Sequence, residues 1–183
     1  DAFVTALLPS TLPAHQKAPA IGFIAHVDTA DFNADHIQPQ VHADYDGQDI
    51  VLNPDLDIVM RVSEFPNLKH YLGQTLITTD GTTLLGADDK AGLVSILEAV
   101  IHLLAHPDLP HGDIWLAFGP DEEIGKGAHR FQAQDFPADF AYTLDSGEVG
   151  KLEYETFNAA RVMLTIDGTS VHPGTAKGLM VNA

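Results

Sequence analysis

The 183-residue chain contains no cysteine. That excludes disulfides and thiolate metal sites, so any metal must be held by imidazole and carboxylate. Basic residues are scarce: nine Lys and Arg stand against 26 Asp and Glu, a formal charge of −17. A field of that sign repels nucleic acid and anionic lipid, so neither is expected as a partner. No apolar run approaches the roughly 18 residues of a membrane-spanning helix. The opening residues lack the basic-plus-apolar pattern of a secretory signal. A disulfide-free chain without either feature suits the cytoplasm. What is plentiful is apolar residue, 45% of the chain, enough for a sizeable core.

The chain opens on Asp1-Ala2-Phe3-Val4 without Met and closes on Gly178-Leu179-Met180-Val181-Asn182-Ala183. The first reads as the inside of a strand and the second as an unfinished helix, so a fragment is expected. Ile21–Ala25, Asp113–Phe118 and Phe140–Leu144 are continuous apolar runs of strand length, typical of strands buried on both faces. Residues 3–8 read as a further strand. Lys90 to His106 carries apolar residues at Ala91, Val94, Ile96, Leu97, Val100, Ile101 and Leu104, a helical spacing that His106-Pro107 ends. Hairpins are predicted at Asp46-Gly47, between residues 41 and 52, and at Asp80-Gly81. Residues 53–73 read as loop, with at most short helical turns. Residues 127–134 suit a short helix. Residues 151–157 and 160–166 alternate as antiparallel strands, with a change of texture near 157.

The three buried-strand runs share a property. Each ends in groups able to bind metal: His26 and Asp28, then Glu122 and Glu123, then Asp145. Asp88 and Asp89 open the long helix. Parallel strands bring their carboxyl ends to one rim, so residues distant in sequence can converge there. Each part alone has an ordinary explanation. His26-x-Asp28 resembles many loop pairs, Glu122-Glu123 suits a helix start, and Asp145-Ser146-Gly147 suits a turn. Together they would place many carboxylates on one rim, which is unfavourable without a cation.

Gly86-Ala87-Asp88-Asp89-Lys90-Ala91-Gly92 resembles the peptidase T branch, the tripeptide aminopeptidases, of the co-catalytic zinc metallopeptidases of family M20. His26-Val27-Asp28, Asp121-Glu122-Glu123, Asp145 and Val171-His172-Pro173-Gly174-Thr175-Ala176-Lys177-Gly178 carry the same resemblance, as do residues 73–81 and 110–114. It implies a zinc-exopeptidase-like α/β catalytic domain, a mixed and largely parallel sheet with flanking helices, over residues 1–156. Residues 157–183 would begin an inserted α+β lid or dimerisation-type domain.

The resemblance also implies roles. Asp88 would bridge two zinc ions, His26 and Asp145 would complete the ligands of the first, and Glu123 would bind the second. Glu122 would act as general base and acid on water activated between the ions. Asp28 would orient the His26 imidazole, being two residues along the same strand face. Asp89 is expected to cap the helix or pair with Lys90, and His172 to contact substrate from the lid. The family's last zinc ligand, a histidine in a later segment, has no counterpart here. His36, His42, His102, His106, His111 and His129 do not sit in matching sequence. The implied substrates are small peptides, above all tripeptides, and the branch allows a homodimer. The alternatives are a related dipeptidase or aminoacylase-type amidohydrolase, or a non-catalytic metal-binding fragment. The fragment alone is expected to be inactive.

Overall fold

The computed structural model describes residues 3–156 and 158–183, which fall into two compact units divided between residues 147 and 148. Residues 1 and 2, where the chain was expected to open inside a strand, lie outside the described residues. So does Phe157, at the expected domain change. In the first unit β1 (Val4–Leu8), β2 (Ile21–His26), β7 (Ile114–Gly119) and β8 (Phe140–Thr143) form one sheet in the order β1-β7-β2-β8. β7, β2 and β8 run parallel, and β1 joins β7 antiparallel. The sheet is therefore mixed and largely parallel, as expected.

Helix α1 (Ala87–Ala105) packs on one face of this sheet. Its inward stripe is Gly92, Leu93, Ile96 and Val100, which meets Phe23, Ala25, Ile114, Leu116 and Phe118. The other apolar positions of the helical pattern face outward: Val94, Leu97, Ile101 and Leu104 are exposed. On the opposite face an aromatic layer covers the strands. Trp115, Phe136 and Phe131 meet edge to face in sequence, with ring centroids 6.0 and 5.3 Å apart. Glycine is required beneath it, because a Cβ at Gly22 would come within 2.9 Å of both Phe136 and Ala141.

The expected hairpins are rearranged. β3 (Gln40–His42) pairs antiparallel with β6 (Leu76–Thr78), whereas β4 (Ile50–Asn53) pairs with β5 (Ile58–Met60). Asp46-Gly47 and Asp80-Gly81 do turn, with Gly47 and Gly81 at positive φ. Tertiary pairing and burial of Tyr45, Ile50 and Leu68 in a second small core decide the partners instead. β5 lies inside the stretch read as loop. Its signal was Asn53-Pro54-Asp55, where the Asn53 side chain accepts from the Leu56 amide and closes a turn before three apolar residues. A 3₁₀ turn follows at Pro66–Tyr71, and α2 (Gly127–Arg130) is the short helix expected near 127.

In the second unit no ladder forms over residues 151–156 or 160–166, and Val162, Met163, Leu164 and Ile166 are all exposed. A two-stranded ribbon with no third strand or helix against it is marginal in water, so alternation alone does not produce strands here. The end of the chain is not helical either. Met180 donates to the Ala176 carbonyl in a turn, and Thr169 and Val181 form an antiparallel bridge. Among the described residues no helix is long and apolar enough to cross a membrane.

Candidate metal centre

The parallel strands deliver their polar ends to one rim. β2 ends at His26, which is buried, and Asp145 lies two residues past the end of β8, after Leu144. Asp88 reaches the same point from the start of α1, where Gly86 at φ 76° turns the chain. Asp88 and Asp89 depart from helical angles, and the peptide between them is cis. The His26, Asp88 and Asp145 ligand atoms all lie within 4.8 Å of one another. His26 Nε2 is 2.9 Å from Asp88 Oδ1 and 3.8 Å from Asp145 Oδ2. Glu122 Oε2 stands 3.9 Å from the same nitrogen.

Glu122 is aimed by a tight turn after β7. Asp121 is a non-glycine residue at φ 67°, and its carbonyl accepts from the amides of Lys126 and Gly127. Its carboxylate pairs with Arg130. A strained backbone held by several bonds is common where a side chain must be presented precisely to a reaction site. The Asp28 carboxylate fixes this turn to β2, accepting from the amides of Glu122 and Glu123 at 3.2 Å each. The expected contact between Asp28 and the His26 ring is present but is made by a different atom. The His26 ring donates from Nδ1 to the Asp28 backbone carbonyl at 2.9 Å, and the carboxylate lies farther off at 3.4 Å. Asp28 has passed the end of β2, so same-face strand geometry no longer applies to it.

The charges are unbalanced. Burial raises the Asp145 pKa, with Asp88 adding to it, and burial likewise raises Glu122, helped by Asp145 and Glu123. Burial lowers His26, but hydrogen bonding to Asp88 and the charge of Asp145 outweigh it and leave its pKa raised. Burial also opposes ionisation of Asp28, yet the Glu123 and Glu122 amides prevail and hold it low. Carboxyl groups held above their ordinary pKa around one imidazole are short of positive charge. One imidazole nitrogen and two carboxylates, with the other ring nitrogen already bonded, form a donor set suited to a zinc-like cation.

Of the remaining expected site residues, Glu123 is placed through its amide on Asp28, and its carboxylate is not in the three-donor group. His172 belongs to the second unit, where its Nδ1 accepts from the Gly174 amide and caps a 3₁₀ turn. Asp89 is the residue that sequence reasoning undervalued. It is 3% exposed, and its carboxylate accepts from the His26 amide at 3.2 Å. No ion pair joins it to Lys90 among the described residues. Its burial was the missed signal, since an acid between Asp88 and an apolar helix has few routes to water.

An α/β sheet with a His and carboxylate cluster at the carboxyl ends of its parallel strands defines a domain with a candidate metal centre. More particularly, residues 78–176 match the model of peptidase family M20/M25/M40, and the chain belongs to that family. Similar proteins include peptidase T of Fusobacterium nucleatum, 62% identical over 99% of this chain and 43% of that protein. Peptidase T of Bacillus licheniformis is 56% identical over 100% of this chain and 44% of its own length. Among solved structures, aminopeptidase PepT from Bacillus cereus aligns with a TM-score of 0.57 at 31% identity, over 81% of this chain and 31% of that one. A tripeptidase from Staphylococcus aureus aligns at 0.54 and 27% identity, over 80% and 30%. The chain thus spans less than half the length of the curated relatives it matches.

Proposed function

We propose that this chain supplies the metal-binding part of a zinc aminopeptidase that releases the N-terminal residue from tripeptides. The observation that carries the reading is the convergence of His26, Asp88 and Asp145, with Glu122 beside them, on the rim of the sheet. That similar proteins are peptidase T, and a structural neighbour a tripeptidase, favours tripeptides over other amides. His26, Asp88 and Asp145 would hold a first zinc, and Asp88 and Glu123 are the residues this chain would offer to a second. Zinc supplies Lewis acidity that makes water a nucleophile near neutral pH. Glu122, with its pKa raised by burial, is suited to take a proton from water and return it to the departing amine. Asp28 holds the turn that presents Glu122. Residues 157–183 open the lid domain, from which His172 contacts substrate. The working form acts on small peptides in the cytoplasm, with a homodimer as a testable assembly.

The test uses a longer protein that contains this chain. Tripeptides and acyl-amino acids are offered with and without zinc, and release of the N-terminal residue is followed. Zinc-dependent release from tripeptides is expected. Hydrolysis of acyl-amino acids alone would favour the amidohydrolase alternative, and no turnover at saturating zinc would remove the enzymatic reading.

A further inference from the structure

β2 lies between β7 and β8, and its end is where the ladder on the β8 side breaks. The Val27 amide donates to Gly119 on the β7 side at 2.9 Å, so the preceding amide, that of His26, faces β8. The last bond on that side runs from the Leu144 amide to the Ile24 carbonyl at 2.9 Å. Continuing the parallel pattern, the His26 amide would donate to the Leu144 carbonyl. It donates instead to Asp89 Oδ2 at 3.2 Å. The freed Leu144 carbonyl lies against Gly92, where an added Cβ would collide with that carbonyl and with the Asp89 carboxylate. The first turn of α1 is therefore wedged between the ends of β2 and β8.

We propose that Asp89 is a positioning residue for the metal centre, replacing the terminal ladder bond so that His26, Asp88 and Asp145 are locked in mutual reach. Each ligand is one residue from this wedge or within it. His26 is tied by its own amide, Asp88 precedes Asp89, and Asp145 follows Leu144. Gly92 completes the wedge by allowing the helix to approach the Leu144 carbonyl. The inference rests on the metal reading of the site and adds a residue to it. Asp89 contacts no reacting atom; it acts through the backbone of His26.

The experiment uses cobalt(II) as the probe, titrated into the 183-residue chain with affinity and visible absorption both recorded. Asp89→Ala, checked for folding by far-UV circular dichroism, is expected to bind about 10–100-fold more weakly with an altered spectrum, the usual scale for loss of a supporting contact. Asp89→Asn keeps an acceptor for the His26 amide and is expected to bind at least about fivefold more tightly than Asp89→Ala. Gly92→Ala is expected to change the spectrum in the same direction, and it carries the test if Asp89→Ala does not fold. Val94→Ala, on the exposed face of the same helix, leaves both readouts at the wild-type value. A folded Asp89→Ala with wild-type affinity and spectrum overturns the inference alone, as does an Asn variant no better than Ala. A wild-type chain that binds no cobalt overturns the metal reading and this inference with it.

Discussion

At the scale of single residues, the difference in placement between the Glu122 and Glu123 side chains is set by the backbone. Both amides are pinned by the Asp28 carboxylate. Only the Glu122 side chain stands near His26 Nε2, at 3.9 Å. In a longer protein containing this chain, Glu122→Gln is expected to lower turnover by roughly three orders of magnitude or more. Zinc content, measured by atomic absorption, should be unchanged; loss of zinc would make Glu122 a ligand rather than a base. His26, Asp88, Asp145 and Glu122 were legible in the sequence because chemistry-bearing residues ended apolar strand runs. The atom by which Asp28 meets the His26 ring was not legible. Whether a carboxylate or its own carbonyl meets the imidazole depends on where β2 stops, and no pattern of residue types encodes that.

At the scale of elements, α1 shows how an apolar pattern can be right in period and incomplete in direction. Two stripes share the helix. Ile96 is 3% exposed against Ala25 and Leu116, and Ile101 is 57% exposed. Ile96→Ala is therefore expected to destabilise the chain by about 2–4 kcal/mol, through lost burial and a residual cavity. Ile101→Ala should stay within about 0.5 kcal/mol. Urea unfolding of the two variants checks the assignment, and equal losses would show that α1 packs by its other stripe. The parallel strands were readable as elements because continuous apolar runs are the mark of two-sided burial. The β3-β6 and β4-β5 pairings were not, since turn residues fix a reversal but not which strand fills the neighbouring place.

At the scale of the whole molecule, the −17 formal charge and the crowded rim act together. In the metal-free state, Asp145, Glu122 and Asp89 have pKa values raised above those of an unfolded chain, burial being the first cause in each. A carboxyl group that binds its proton more tightly when folded destabilises the fold once it ionises, and lowering the pH relieves this. His26 is also raised, so its stabilising contribution is fully present below its ordinary value of 6.5 and is lost as pH rises through the folded value. Asp28 and Asp80 have the opposite sign. Their stabilisation is present above the ordinary value of 3.8 and is lost only as pH falls through their lowered folded values. On acidification from about pH 7.5 through the ordinary histidine value of 6.5, His26 gains its stabilising proton and the raised carboxyl groups move towards theirs, while Asp28 and Asp80 stay ionised, so the melting temperature of the metal-free chain should rise. With zinc bound the sign should reverse, because protons compete for the same imidazole and carboxylates. Calorimetric melting of the chelator-treated and zinc-loaded chain across that window decides the matter: parallel pH profiles for the two forms would mean that zinc does not occupy this rim.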